Sequence, residues 1–123
     1  MIKAMLIAGA GGFLGTCGRF LVGKLMHWMF ASPFPYGTFA VNIIGCFLIG
    51  LFCGWAEKTH LISPQMNVFL ITGFCGGFTT FSSFSNDMYL LMQNKQWIYF
   101  ILYLGLSIVL GILMVIIGRS LVK

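Results

Sequence analysis

The sequence predicts an all-α integral membrane protein with four transmembrane helices, the third broken at mid-membrane, assembled as an antiparallel dual-topology homodimer. Three observations carry this prediction. The 123 residues are 59% hydrophobic and 7% charged, with a mean hydropathy of +0.99, which leaves far too few polar side chains to cover a water-soluble globule. Four apolar runs, each near the roughly 20 residues that cross about 30 Å of hydrocarbon, fill the chain and leave no room for a soluble domain. The Lys and Arg residues divide almost evenly: Lys3, Lys58, Arg119 and Lys123 on the side shared by the two termini and the second loop, Arg19, Lys24 and Lys95 on the other. Orientation normally follows an excess of Lys and Arg on the cytoplasmic side, so this split predicts insertion both ways. Two oppositely inserted copies then close a dimer about a two-fold axis in the membrane plane.

The first helix spans about 2–30, with Gly9, Gly12 and Gly15 at near-helical spacing and Arg19 and Lys24 in its later turns. Lys3 before "AMLIAGAG" has the outline of a signal peptide, but its apolar core is short and the pattern continues, so a retained helix is expected. "GAGGFLG" has no glycine at position 14 and follows no strand, which excludes a dinucleotide fingerprint. Pro33 and Pro35 end this helix. The second spans about 36–56 and carries one strongly polar residue, Asn42, while Cys46, Gly50 and Gly54 repeat every four residues as a close-packing face. Ser63 as N-cap and Pro64 at the first helical position open the third, about 64–92. "QNKQ" separates it from the fourth, about 97–118, where Trp97, Tyr99 and Tyr103 stand near one end as interfacial aromatics do. The four cysteines, Cys17, Cys46, Cys53 and Cys75, lie inside apolar runs without CxxC spacing and read as packing residues. The scattered basic residues form no phosphate-binding stripe, which excludes nucleic acid as a partner.

The third helix contains "GFCGGFTTFSSFSND", Gly73 to Asp87. A non-helical break inside hydrocarbon is tolerated only where it is buried in protein or lines a wet cavity, because each unpaired backbone group costs several kcal/mol. Gly76 and Gly77 are expected to permit such a break and to free carbonyls able to bind a cation. Phe81 and Phe84 then share one helical face, with Ser82, Ser83 and Ser85 beside them. Asn42, Tyr103 and Ser107 give the neighbouring helices polar faces that converge on the break. The amide, the hydroxyls and the positive edges of phenylalanine rings are donors suited to an anion, and carboxylates are nearly absent. Arg19 either concentrates anions at a pore mouth or snorkels to the headgroups.

These residues resemble the bacterial double-barrelled fluoride channels, over the whole chain: the glycine-rich first helix ending in Arg19, the Asn of "AVNIIG", "GFCGGFTTFSSFS", and Tyr103 with Ser107. The resemblance implies a dual-topology dimer in the bacterial inner membrane with two antiparallel fluoride pores. It assigns Phe81 and Phe84 as the pore-lining aromatics, Asn42 as a pore donor, and Tyr103 and Ser107 as a polar track with Ser83 alongside. It places Arg19 and Asp87 at the vestibule. It also implies a structural sodium ion held by the Gly76 and Thr79 carbonyls of both subunits. Two positions depart from the pattern: Gly111 stands where another hydroxyl is common, and Asp87 where a Glu is common. The alternative is a small dual-topology multidrug or cation transporter, which needs a membrane-embedded Glu in the first helix; this first helix has none. A subunit that only packs would leave Asn42 and the hydroxyls unexplained. An enzyme is not expected, since Glu57, His27 and His60 lie by the loops and form no acid/base pair.

Overall fold

The structure, a computed structural model, describes residues 1–30, 34–59 and 63–122. The expected Pro33 break, His60 and the Lys123 charge lie outside them. Helix α1 covers Ile2–Met29 and α2 covers Tyr36–Thr59. The third span is composite: α3 (Pro64–Asn67), a π-helical stretch (Val68–Cys75), α4 (Gly76–Phe78) and α5 (Phe81–Gln93). Helix α6 covers Trp97–Leu121. Four segments, Ile2–Met29, Tyr36–Lys58, Pro64–Gln93 and Trp97–Leu121, are long and apolar enough to cross a membrane. Helix α3 starts where its capping chemistry dictates: the Ser63 hydroxyl accepts the Met66 amide at 3.1 Å and Pro64 occupies the first turn, where its missing N–H costs nothing.

Glycines decide how the spans pair. Gly11, Gly12 and Gly15 of α1 lie against Phe69, Gly73, Phe74, Gly77 and Phe78, in rising order on both sides, so α1 and the third span run parallel. A Cβ added at Gly77 would stand 2.6 Å from the Gly12 carbonyl oxygen, so backbone touches backbone there. Helices α2 and α6 are likewise parallel, with Gly50 on Val115, Gly54 on Arg119, and Gly118 on Phe47 and Leu51. Lipid tails are as apolar as leucine, so membrane helices associate through such close approach. At one end of that second pair, Arg119 Nη1 donates to Glu57 Oε2 at 2.6 Å. The antiparallel join between the pairs includes Gly37 against Gly23, 3.3 Å from its Cα for an added Cβ.

Gly15→Ala is therefore expected to destabilise the fold by about 1–3 kcal/mol, because its methyl would press into the Phe74 carbonyl oxygen and separate two backbones. Gly105→Ala, with nothing within 4 Å of the added methyl, should stay within about 0.5 kcal/mol. Thermal unfolding in detergent compares the two; equal melting points would contradict the packing assigned to Gly15.

An aromatic cluster closes one end of the molecule. Phe34 meets Phe39 and Tyr103 edge-on, each at 5.4 Å between ring centres, and Tyr36, Tyr99 and Phe84 pack around them. Tyr103 is fully buried. Large apolar side chains cover the outside, including Leu6, Phe13, Leu21, Ile101, Val109 and Ile112, all more than half exposed. Such a surface suits lipid or another apolar face and not water.

Candidate ion pathway at the broken third span

The helical path of the third span is interrupted at two residues. Thr79 (φ −84°, ψ 158°) and Thr80 (φ −152°, ψ 122°) are extended. Gly76 and Gly77, expected to permit the break, are instead helical, and no described glycine has positive φ. Gly77 is there for its close approach to Gly12; the break itself is held by side chains.

Asn42 does most of that holding. Its Oδ1 accepts the Thr80 N–H at 2.8 Å and its Nδ2 donates to the Thr80 carbonyl at 3.0 Å. One side-chain amide thus serves an extended residue as a neighbouring strand would, and only this amide orientation satisfies both groups. Thr80 Oγ1 caps α5 by accepting the Ser83 amide at 3.2 Å, and Thr79 Oγ1 donates to the Cys75 carbonyl at 2.9 Å.

These bonds have a consequence at two carbonyls. In an unbroken helix the Gly76 carbonyl would receive the Thr80 amide, and the Thr79 carbonyl the Ser83 amide. Both amides go to side chains here. Gly76 and Thr79, the pair expected to bind a cation, have lost those helical donors, and this donor chemistry fits a monovalent ion. No cluster of three or more His, Cys, Asp or Glu residues able to hold a metal occurs among the described residues.

Arg19 reaches the same break from α1, its Nε donating to the Gly77 carbonyl at 3.2 Å. A cation there meets the carbonyl end of α4, whose last carbonyls have no following helical N–H to donate to them. Phe81 and Phe84 stand in the first turn of α5 with ring centres 6.0 Å apart, Phe81 being 79% exposed. Phe84 packs on Tyr103 at 4.9 Å. The Tyr103 hydroxyl donates to Asp87 Oδ2 at 3.1 Å. Ser107 Oγ, one turn farther along α6, is buried without a hydrogen-bond partner, an orphan of the kind that needs a water or an ion. At Gly111 an added Cβ would lie 3.4 Å from Cys46 Sγ, in contact with that thiol.

A cleft of about 490 Å³ opens between α1, α2 and α5, lined among others by Arg19, Lys24, His27, Thr80, Ser83 and Asp87. Arg19 and Asp87, both assigned to a vestibule, thus share one cavity with Ser83. Thr80 and Thr38 were not singled out from the sequence, and Lys24 and His27 were noted there without a place in the pathway. Arg19, Gly23 and His27 recur every four residues, and that spacing was the available signal for His27.

Residues 6–119 match the family model described as CrcB-like protein, Camphor Resistance. The chain is 46% identical over 120 residues to the protein named fluoride-specific ion channel FluC of Chlorobium phaeobacteroides (strain BS1), covering 98% of this chain and 93% of that one. It is 50% identical over 109 residues to the protein of the same name from Chlorobium luteolum, covering 88% and 83%, and 45% identical over 112 residues to that of Flavobacterium psychrophilum, covering 91% and 90%.

Proposed function

We propose that this chain, which belongs to the CrcB-like protein family, is a passive fluoride channel of the bacterial inner membrane, without catalytic activity. The observation that carries the ion's identity is the 46% identity, over 98% of the chain, to a relative named for fluoride. The chemistry of the break agrees with it. Fluoride is small and strongly hydrated, so a path for it must replace water with many weak donors and avoid a deep trap. Around Thr79 and Thr80 the chain offers amide and hydroxyl donors and ring edges, with the fixed charge of Arg19 set on a carbonyl.

The working unit in this reading is an antiparallel dimer with two pores. Its support is the near-even division of Lys and Arg between the two sides and the wide apolar exterior of the single chain. In each pore Phe81 and Phe84 line the path, Asn42 turns its remaining N–H toward the ion, and Ser107 supplies an unpartnered hydroxyl. Tyr103 donates to Asp87, which lines the cleft together with Ser83. The Gly76 and Thr79 carbonyls of both copies would hold one structural sodium ion, whose charge would offset four facing carbonyl dipoles.

Purified protein in liposomes tests the reading. Fluoride efflux measured with an ion-selective electrode should exceed chloride efflux by orders of magnitude. Equal flux of the two ions, or none of either from a correctly folded dimer, would defeat it. A thiol label at one terminus should be reachable from both sides of the membrane; reach from one side alone would remove the antiparallel dimer and leave the fluoride assignment standing.

A further inference from the structure

Away from the broken span, the parallel pairing of α2 and α6 brings two helix ends together at one face of the molecule. Lys58 is the last residue of the second apolar span, and Arg119 lies in the final turn of the fourth. Both cations therefore stand where hydrocarbon gives way to headgroups, the depth that long basic side chains reach from a helix end. A second cleft, of about 680 Å³, opens between these ends and is lined by Glu57, Lys58, Arg119 and Ser120, with Gly54 and Ile116 one turn deeper. Its volume falls within the roughly 300–1,000 Å³ of small-ligand sites. The fluoride path uses none of these residues.

We propose that this cleft binds the phosphodiester headgroup of an anionic glycerophospholipid, with Lys58, Arg119 and Ser120 as its donors. Basic pockets between membrane helices suit such headgroups. The Arg119 guanidinium is a planar fork of five N–H donors, and the bond from Nη1 to Glu57 Oε2 uses one of them. That ion pair holds the fork in place, so a phosphate meets a donor set whose freedom is already reduced. Two cations against one carboxylate leave the cleft a formal charge of +1, which one phosphodiester balances. Glu57 weakens the site for a free anion. A lipid is favoured over it because the bilayer holds headgroups at this depth, and acyl chains can lie along Ile112 and Ile116, both more than half exposed on α6. In the antiparallel dimer proposed above, one such cleft opens into each leaflet.

Native mass spectrometry of the full-length protein in detergent, mixed with equal amounts of phosphatidylglycerol and phosphatidylcholine, provides the test. Phosphatidylcholine offers the same phosphate with a cation attached, which Lys58 repels. Phosphatidylglycerol should be retained about tenfold over it, the effect of one charge-assisted hydrogen bond. Adding phosphatidylglycerol should also raise the melting temperature, as a ligand of the folded state does, and inorganic phosphate at the same concentration should leave it unchanged. Lys58 forms no ion pair among the described residues, so Lys58→Gln without lipid should melt like wild type and yet lose the preference. Lys58→Arg should keep it. Equal retention of the two lipids by wild type overturns the proposal, as does a preference that survives in Lys58→Gln or a melting shift produced by inorganic phosphate alone. Fluoride flux enters none of these measurements, so the channel reading stands or falls separately.

Discussion

Fluoride flux through Asn42→Asp is expected to fall by at least about a hundredfold in a dimer that still assembles. The Asn42 amide makes two bonds to one extended residue, and the substitution keeps only one of them. An aspartate oxygen still accepts the Thr80 amide, but the group that donated to the Thr80 carbonyl becomes an acceptor facing an acceptor. It also sets a negative charge beside the route of an anion. An uncompensated buried charge costs about 3–5 kcal/mol, and every 1.4 kcal/mol on a barrier is about tenfold in rate, so two orders of magnitude is a modest expectation. Size-exclusion elution and the melting temperature separate this from unfolding. Flux near the wild-type rate in a folded Asn42→Asp dimer would remove Asn42 from the path.

Phe81→Ile and Phe84→Ile are each expected to slow fluoride flux by more than about tenfold, and their stability costs should differ. Phe81 is 79% exposed on the single chain, so trimming it removes little packing within that chain. Phe84 lies on the Tyr103 ring, and losing that aromatic pair costs about 0.5–1.5 kcal/mol. If the rings only pack, flux should track the loss of stability, with Phe81→Ile close to normal. If their edges line the path, both should lose transport, since an aliphatic side chain carries no comparable positive edge. Liposome flux and melting curves on the same preparations decide it. Wild-type flux from both variants, each well folded, would leave the rings a packing role alone.

The four spans were legible because hydrophobic length and composition report directly on the hydrocarbon thickness they must cross. The break was legible as a disturbance and not as a position. The sequence reading placed it at Gly76 and Gly77, and the chain departs from helix at Thr79 and Thr80. A glycine pair in a membrane helix serves either an unusual backbone angle or a close neighbour, and only the position of α1 against it decides between them. The π-helical stretch left no mark at all. Val68–Cys75 reads as an ordinary apolar run, since which carbonyl each amide takes there is settled by neighbours. Asn42 stood out through its polarity, yet its partner is backbone, which no side-chain pattern reveals. Tyr103 and Asp87 were each noticed separately; their hydrogen bond joins α6 to α5 across a turn whose Lys95 has a φ of 58°. Cys46 was read as a packing residue, and the structure adds what it packs against, the bare face of Gly111.

The parallel pairing of the spans bears on how the protein is made. Helix α1 leaves the ribosome before the third span, with Gly11, Gly12 and Gly15 along one face, and the backbone that fits them belongs to that later span. Helix α2 waits in the same way for α6. Neighbours in sequence are thus not the main partners in space, and neither close contact can form until a later segment has entered the bilayer. During synthesis the first half of the chain is two inserted helices whose glycine faces meet only lipid, the insertion machinery or a nascent neighbour. Translation order leaves those glycine faces to be matched only when the later spans arrive.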